Sequence, residues 1–289
     1  MNKIRKGTHD DEKFLFSLRN SKSALEMSPR SNPISRVEHL EWMQRFFDNA
    51  ANAIFVGITS DDRSFGYCRF NKCLESEIVY VSIVVDDAFV ARGFGTWLLR
   101  KSCQSYLKGH DGPLRADIKQ SNRPSLAIFK KIGFVPIKRD GSFITLDFPA
   151  QSLVHRPVHI DDSELLYQLL LNRTNSISHT NMPTYQEHEN FVRNHPYRAW
   201  SIVISETGDV LGAWYLKTDN SIGINLLDQF KTVVRQIMSF VCLYHEPLNP
   251  IPSVVPPYFF VNASTDNVQL IEYLKEFEFS NIQVSFRVW

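Results

Sequence analysis

The chain has 289 residues, too many for one small domain, and its 43% apolar and 12% aromatic content suits a folded globular protein and argues against a disordered one. Lys plus Arg number 32 against 31 Asp plus Glu, which leaves no basic field for nucleic acid, and no apolar stretch approaches the roughly 20 residues of a membrane-spanning helix. The N-terminal "MNKIRKGTHDDEKF" has no apolar core segment of the kind a secretory leader needs, and Cys68, Cys73, Cys103 and Cys242 form no CxxC pair, as expected in a reducing compartment. A cytoplasmic protein without a metal centre is expected, with association into oligomers left open.

In chain order, an apolar-periodic run "EKFLFSLRN" (12–20) predicts a helix, and "SRVEHLEW" (35–42) predicts another that starts at a Ser with Glu three residues on. Strand-like runs follow in "AIFVGITS" (53–60), "SFGYCRFN" (64–71) and "IVYVSIVV" (78–85), then helical spacing in "GTWLLRKSCQSYL" (95–107). "LRADIKQ" (114–120) reads as a strand and "SNRPSLAIFKKIGF" (121–134) as a helix, capped by Asn122, opened by Pro124 and left at Gly133. The second half repeats this order. Arg5 with Asp10-Asp11 is echoed by Arg156 with Asp161-Asp162, "SRVEHLEW" by "TYQEHENF" (184–191), the first two strands by "WSIVISET" and "VLGAWYLK", and 121–134 by "DNVQLIEYLKEFEF" (266–279). The expected architecture is α+β: two tandem units, residues 1–149 and 150–289, each a mixed, mostly antiparallel sheet flanked by helices. The Pro-rich "EPLNPIPSVVPPY" (246–258) reads as a rigid connector.

"DDAFVARGFGTWLLRKS" (86–102) follows a strand and opens a helix. Unpaired N–H groups and the positive end of the helix dipole make such a start an anion site, and glycine lets backbone approach a phosphate closely. A plain glycine turn is the alternative. The run lacks the Gly-Lys-Ser/Thr of a P-loop and the three-glycine dinucleotide fingerprint.

Strand, "RGFG", long helix, strand and "NxxS…F…GF" together resemble the GNAT superfamily of acetyl-CoA-dependent N-acetyltransferases over residues 1–148. The resemblance implies acetyl-CoA as co-substrate and a small-molecule amine as acceptor. It implies that Ile83 and Val85 offer backbone groups to the pantetheine arm. Arg92, Gly93, Phe94, Gly95 and Thr96 would cover the pyrophosphate, while Asn122 and Ser125 line the pantetheine side and Phe129 stands beside the thiol. Two departures stand out: Val90 replaces the usual Gln or Arg, and Phe129 replaces the tyrosine that protonates the leaving thiolate.

Acetyl transfer needs a neutral amine, hence a base. Asp117, on the strand before Asn122, is the first candidate. Glu77 is the second, with a solvated strand end as its plain alternative. Arg19-Asn20, Ile34-Ser35, Glu38-His39 and Trp42 resemble a sub-group that acetylates nucleotide-linked amino sugars, which implies Asn20, Arg30 and His39 as acceptor contacts. A protein or peptide amine is the alternative acceptor, and a coenzyme-A-binding regulatory module without turnover is the alternative function.

The second half has "INLLDQFKTVVRQIMSFV" (224–241) where the glycine loop is expected, and Leu270, Leu274 and Glu278 at the places of Ser125, Phe129 and Gly133. A degenerate coenzyme site is expected there.

Overall fold

The computed structural model describes residues 1–28, 31–173, 182–228 and 230–282. The chain divides between Gln151 and Ser152, except that Ser239–Tyr244 fall with the first unit, where Leu243 joins the apolar core.

The first unit runs β1 (Lys3–Lys6), α1 (Glu12–Arg19), α2 (Lys22–Met27), α3 (Arg36–Phe47), β2 (Ala53–Ile58), β3 (Ser64–Lys72), β4 (Val79–Val85), α4 (Phe94–Tyr106), β5 (Leu114–Lys119), α5 (Arg123–Lys131), β6 (Val135–Asp140) and β7 (Phe143–Phe148). Its sheet has the order β1-β2-β3-β4-β5-β7-β6, antiparallel throughout except for the parallel pair β4–β5. Strand alternation sends side chains to two cores. On one face Leu98, Leu99 and Cys103 of α4 and Leu126 and Phe129 of α5 bury against Phe70, Val81, Leu114 and Ala116. On the other, Leu15 and Leu18 of α1 and Met43 and Phe46 of α3 bury against Ile54, Val56 and Tyr67. Each fully buried Leu or Phe contributes roughly 1.5–3 kcal/mol relative to exposure, so both helix pairs are held by packing more than by propensity.

The helix starts follow their sequence signals. Arg5 forms a two-pronged bond with Asp11, whose carboxylate also accepts the Thr8 N–H at 2.9 Å. Ser35 and Glu38 form a capping box at α3, and the Asn122 oxygen accepts the Ser125 N–H at 3.1 Å at α5. One element departs from expectation. The polar stretch after Asn20, given no element from its pattern, contains α2, started by Ser21, whose hydroxyl accepts the Ala24 N–H at 3.3 Å.

The second unit runs β8 (Val154–Pro157), α6 (Ser163–Leu171), α7 (Tyr185–Arg193), β9 (Ala199–Ile204), β10 (Val210–Leu216), β11 (Ser221–Leu226), α8 (Lys231–Tyr244), β12 (Phe260–Val261) and α9 (Val268–Glu276). Its sheet order is β12-β11-β10-β9-β8, with β11–β12 parallel and the other pairs antiparallel. The Pro-rich 246–258 stretch is pinned by buried Asn220, which accepts the Leu248 N–H and donates to the Pro256 carbonyl, both at 2.8 Å. No described helix is long and apolar enough to cross a membrane.

Candidate active site

β4 is paired along its whole length with β3, from Lys72↔Val79 to Gly66↔Val85. Its pairing with β5 stops after Val79↔Leu114 and Tyr80↔Arg115. Beyond Tyr80 the two strands part. The Val79 N–H donates to Pro113 on the β5 side, whereas the Asp86 N–H donates to Phe65 on the β3 side. Strand alternation therefore turns the N–H and C=O of Val81, Ile83 and Val85 toward the opening. Ile83 and Val85 thus lie along this unpaired edge of β4.

The opening ends at the glycine loop. Asp86 accepts the Ala88 N–H at 2.9 Å and starts a short 3-10 turn, Asp87–Phe89. Ala91 and Gly93 then take left-handed conformations, φ +60° and +84°. Gly93 is the N-cap of α4 and supplies no side-chain cap. The first-turn N–H groups of Phe94, Gly95 and Thr96 have no intrahelical acceptor, so they and the helix dipole converge on open backbone. A Cβ on Gly93 would meet nothing within 4 Å, and one on Gly95 would lie 3.7 Å from both Val85 and Ile128. Neither glycine is demanded by crowding within the protein. Arg92 donates to the Ala88 carbonyl at 3.4 Å, and its guanidinium lies 5.5 Å from the Phe94 ring centre and 5.9 Å from that of Phe89. Phe94 packs edge-on against Phe65, which fixes the loop to β3. Val90 is exposed.

Asn122 caps α5 and is half-buried, as is Ser125. Phe129 is 2% exposed and packs edge-on against Phe134. It is a core residue of the α4–α5 face.

Asp117 lies on β5 with its side chain exposed, on the face opposite Leu114, Ala116 and Ile118. Thr145 of β7 donates its hydroxyl to Asp117 Oδ1 at 2.6 Å. Two residues along, on the same face, Lys119 donates to the Glu26 carbonyl of α2 at 2.8 Å, so the α1–α3 connection reaches this end of β5.

The remaining sequence candidates lie elsewhere. Glu77 precedes β4 at its paired end, exposed and bonded to Lys72 at 2.6 Å. Val81, where the opening begins, is four residues on, roughly 13 Å along the strand direction, so Glu77 lies outside the opening. Asn20 uses both ends of its amide on Ile34, accepting its N–H and donating to its C=O, each at 2.9 Å. It braces the α1–α3 connection, and its amide oxygen and one amide hydrogen are committed to that brace. His39 is 1% exposed and packs between Phe16 and Trp42, with the Glu12 backbone and carboxylate nearby. Burial pushes its pKa down, which holds the ring neutral. His188 of α7 is buried in the same way beside the Ser163 backbone, so this histidine secures a helix in each unit. Arg30 lies outside the described residues.

Sequence reasoning missed the far side of the opening. Tyr67, Arg69 and Trp42 line the α1–α3 face beside β4, with the Arg69 guanidinium 5.4 Å from the Trp42 ring centre. Their alternation in "GYCRFN" was visible; what faces them was not. The described residues contain no cluster of His, Cys, Asp and Glu suited to a metal ion.

No curated protein matches the chain in sequence. Among solved structures it is similar to an N-acetyltransferase from Staphylococcus aureus Mu50, at 20% identity over 52% of this chain and 98% of that one, TM-score 0.44. It is also similar to a ribosomal-protein-alanine N-acetyltransferase from Brucella melitensis, at 16% identity over 50% and 98%, TM-score 0.43. A third is spermidine N-acetyltransferase from Vibrio cholerae in complex with CoA and spermine, at 12% identity over 50% and 92%, TM-score 0.43. Residues 3–135, which span the opening, the glycine loop and α5, match the family model described as acetyltransferase (GNAT) domain.

Proposed function

We propose that the first unit transfers the acetyl group of acetyl-CoA to the nitrogen of a small-molecule amine. The observation that carries this reading is the open edge of β4 running straight into an uncapped helix start. Ile83 and Val85 present N–H and C=O groups to an arm that hydrogen-bonds like a strand. The N–H groups of Phe94, Gly95 and Thr96, with the Arg92 guanidinium, form a cradle for two linked phosphates. Gly93 and Gly95 leave that cradle free of side chains. Asn122 and Ser125 lie at the start of α5, and Ile128 of that helix comes within van der Waals reach of Gly95. When bound, acetyl-CoA supplies an activated thioester carbonyl.

Asp117 is the group we assign to take the proton of the attacking amine; the Thr145 hydroxyl holds its carboxylate in place. Phe129 has no proton to give and is buried in the core. A thiol of pKa near 8.5 leaves as thiolate at a modest cost, so the chain needs no dedicated acid. A nucleotide-linked amino sugar is the first acceptor we would assay, and a protein or peptide amine the second. The markers that suggested the sugar, Asn20 and His39, serve the fold, so the acceptor rests on the residues around Asp117.

The chain as a whole we read as a duplication. Arg156 grips Asp162 as Arg5 grips Asp11, and Thr184–Glu187 repeats the capping box of Ser35–Glu38. Asn267 caps α9 through the Leu270 N–H as Asn122 caps α5. Glu278 sits at φ +59° at the helix exit where Gly133 sits at +105°. The second unit has no glycine where the first has its loop, and we assign it no coenzyme site.

Isothermal titration of acetyl-CoA into the intact chain and a Gly93→Glu variant tests the reading. One site, abolished by the substitution, supports it; two sites contradict the account of the second unit, and none contradicts the function.

A further inference from the structure

The face of the first sheet that α1 and α3 cover carries a row of side chains across the opening. Register sets Arg69 of β3 beside Ser82 of β4. Because Tyr80 pairs with Arg115, Ser82 falls in the same row as Asp117 of β5, which pairs in turn with Thr145 of β7. A cation stands at one end of the row and a carboxylate at the other, with the parting of β4 and β5 between them.

Among the described residues, Arg69 pairs with no carboxylate. Its Nε is out of contact with solvent and has no hydrogen-bond acceptor among the described residues. Its guanidinium lies over the Trp42 ring, 5.4 Å from the ring centre. Burial lowers its pKa; the charged or titrating groups that act on it are Tyr67, Arg19 and Cys68, and Arg19 is a second cation that lowers it further. Holding a half-buried guanidinium with its Nε out of solvent and no carboxylate on it among the described residues costs free energy. The fold itself does not demand either residue. In the second unit the same β-bulge precedes Gly212 as precedes Gly66, and three residues after these glycines stand Tyr215 and Arg69 respectively. At the spacing that pairs Arg5 with Arg156 and Asp11 with Asp162, Leu170 of α6 stands where Arg19 stands in α1.

We propose that Arg69 receives an oxyanion of the acceptor, so that the substrate is an amine carrying a carboxylate or phosphate a few bonds from its nitrogen and not a polyamine. The inference rests on the acetyl-transfer reading of the same site. Arg69 and Asp117 lie two strands apart, and because β4 and β5 have parted between them their backbones are more than roughly 10 Å apart. That separation leaves room for a small acceptor whose anion meets Arg69 while its nitrogen meets Asp117.

The test uses the intact chain, Arg69→Gln and Arg69→Lys with matched amines: ethanolamine against phosphoethanolamine, 3-aminopropanol against β-alanine, and spermidine. Wild type is expected to prefer one charged partner by roughly tenfold or more in kcat/KM, the worth of a charge-assisted bond, and the preferred partner separates phosphate from carboxylate. Arg69→Gln should erase that preference through KM, and Arg69→Lys should keep part of it. Equal use of charged and neutral partners, preference for spermidine, or a preference that survives Arg69→Gln overturns the proposal. A second readout needs no turnover. With coenzyme A present to occupy the glycine loop, inorganic phosphate should raise the melting midpoint of wild type and Arg69→Lys but not of Arg69→Gln; equal shifts in all three overturn it. If acetyl-CoA fails to bind, the acetyl-transfer reading falls, while the phosphate measurement still judges Arg69.

Discussion

Gly95 offers a test in which stability and binding should move in opposite directions. It lies in the first turn of α4 without a left-handed backbone, and an added Cβ would sit 3.7 Å from Val85 and Ile128, ordinary contact distance. Alanine therefore fits, and by helix propensity and the smaller entropy of the unfolded chain it should stabilise the free protein by about 0.5–1 kcal/mol. If the bare backbone serves the pyrophosphate, the same methyl blocks the approach of a phosphate to the Gly95 and Thr96 N–H groups. Losing one charge-assisted bond weakens acetyl-CoA by roughly tenfold or more. At a ligand concentration about 100 times the wild-type Kd, binding stabilises wild type by about 2.7 kcal/mol and a tenfold weaker variant by about 1.4 kcal/mol. The order of melting midpoints should thus reverse: Gly95→Ala melts higher without acetyl-CoA and lower with it. Gly93→Ala is the control, because φ +84° disfavours any Cβ and should cost about 1 kcal/mol even though the space is open. Differential scanning calorimetry of the three proteins with and without acetyl-CoA decides the matter. If Gly95→Ala gains stability and keeps its full response to ligand, the glycine does not serve the coenzyme and the cradle is wrongly placed.

Asp117→Asn should lower kcat/KM at neutral pH by about 100-fold, the usual worth of a positioned base. Its melting temperature should stay near that of wild type, since an amide oxygen still accepts from Thr145. Asn20→Ala breaks both bonds to Ile34 and should cost about 1–2 kcal/mol in denaturant unfolding. Acetyl-CoA affinity should be spared and the acceptor KM raised, because the brace supports the α1–α3 connection and not the glycine loop. His155 gives a pH dependence. Half-buried, and accepting the Trp214 indole N–H at 2.9 Å on Nδ1, it has its pKa pushed by desolvation from 6.5 down to about 4. The unfolded chain takes up this proton first, so the stability gained from the neutral ring is complete above pH 6.5 and is lost as pH falls toward 4. The full loss is about 3 kcal/mol. Acid titration of His155→Gln should show a correspondingly flatter stability profile between those limits.

Much of the fold could be read directly from local chemistry. The caps at Ser35 and Asn122, the exit at Gly133 and the strands around "IVYVSIVV" are set by interactions within a few residues, and the structure places them where the pattern does. The echo of Arg5–Asp11 in Arg156–Asp162 was visible for the same reason: both partners sit six residues apart. Short-range polar signals misled where their partner was distant. Asn20 and His39 looked like acceptor contacts, but Ile34 and the start of α1 claim them. α2 escaped notice because six residues carry no helical period strong enough to detect.

The sequence by itself determined the glycine loop, its helix and the caps that frame them, because backbone conformation and N-cap chemistry are local properties. Only the tertiary structure decided that β4 parts from β5 after Tyr80, that Glu77 lies at the closed end, and that Arg69 and Asp117 share one row across the opening. Those facts depend on which strand lies beside which and where their pairing stops. Strand pairing is set by packing between segments tens of residues apart, and the period of two that a strand shows in sequence names its faces without naming its neighbours.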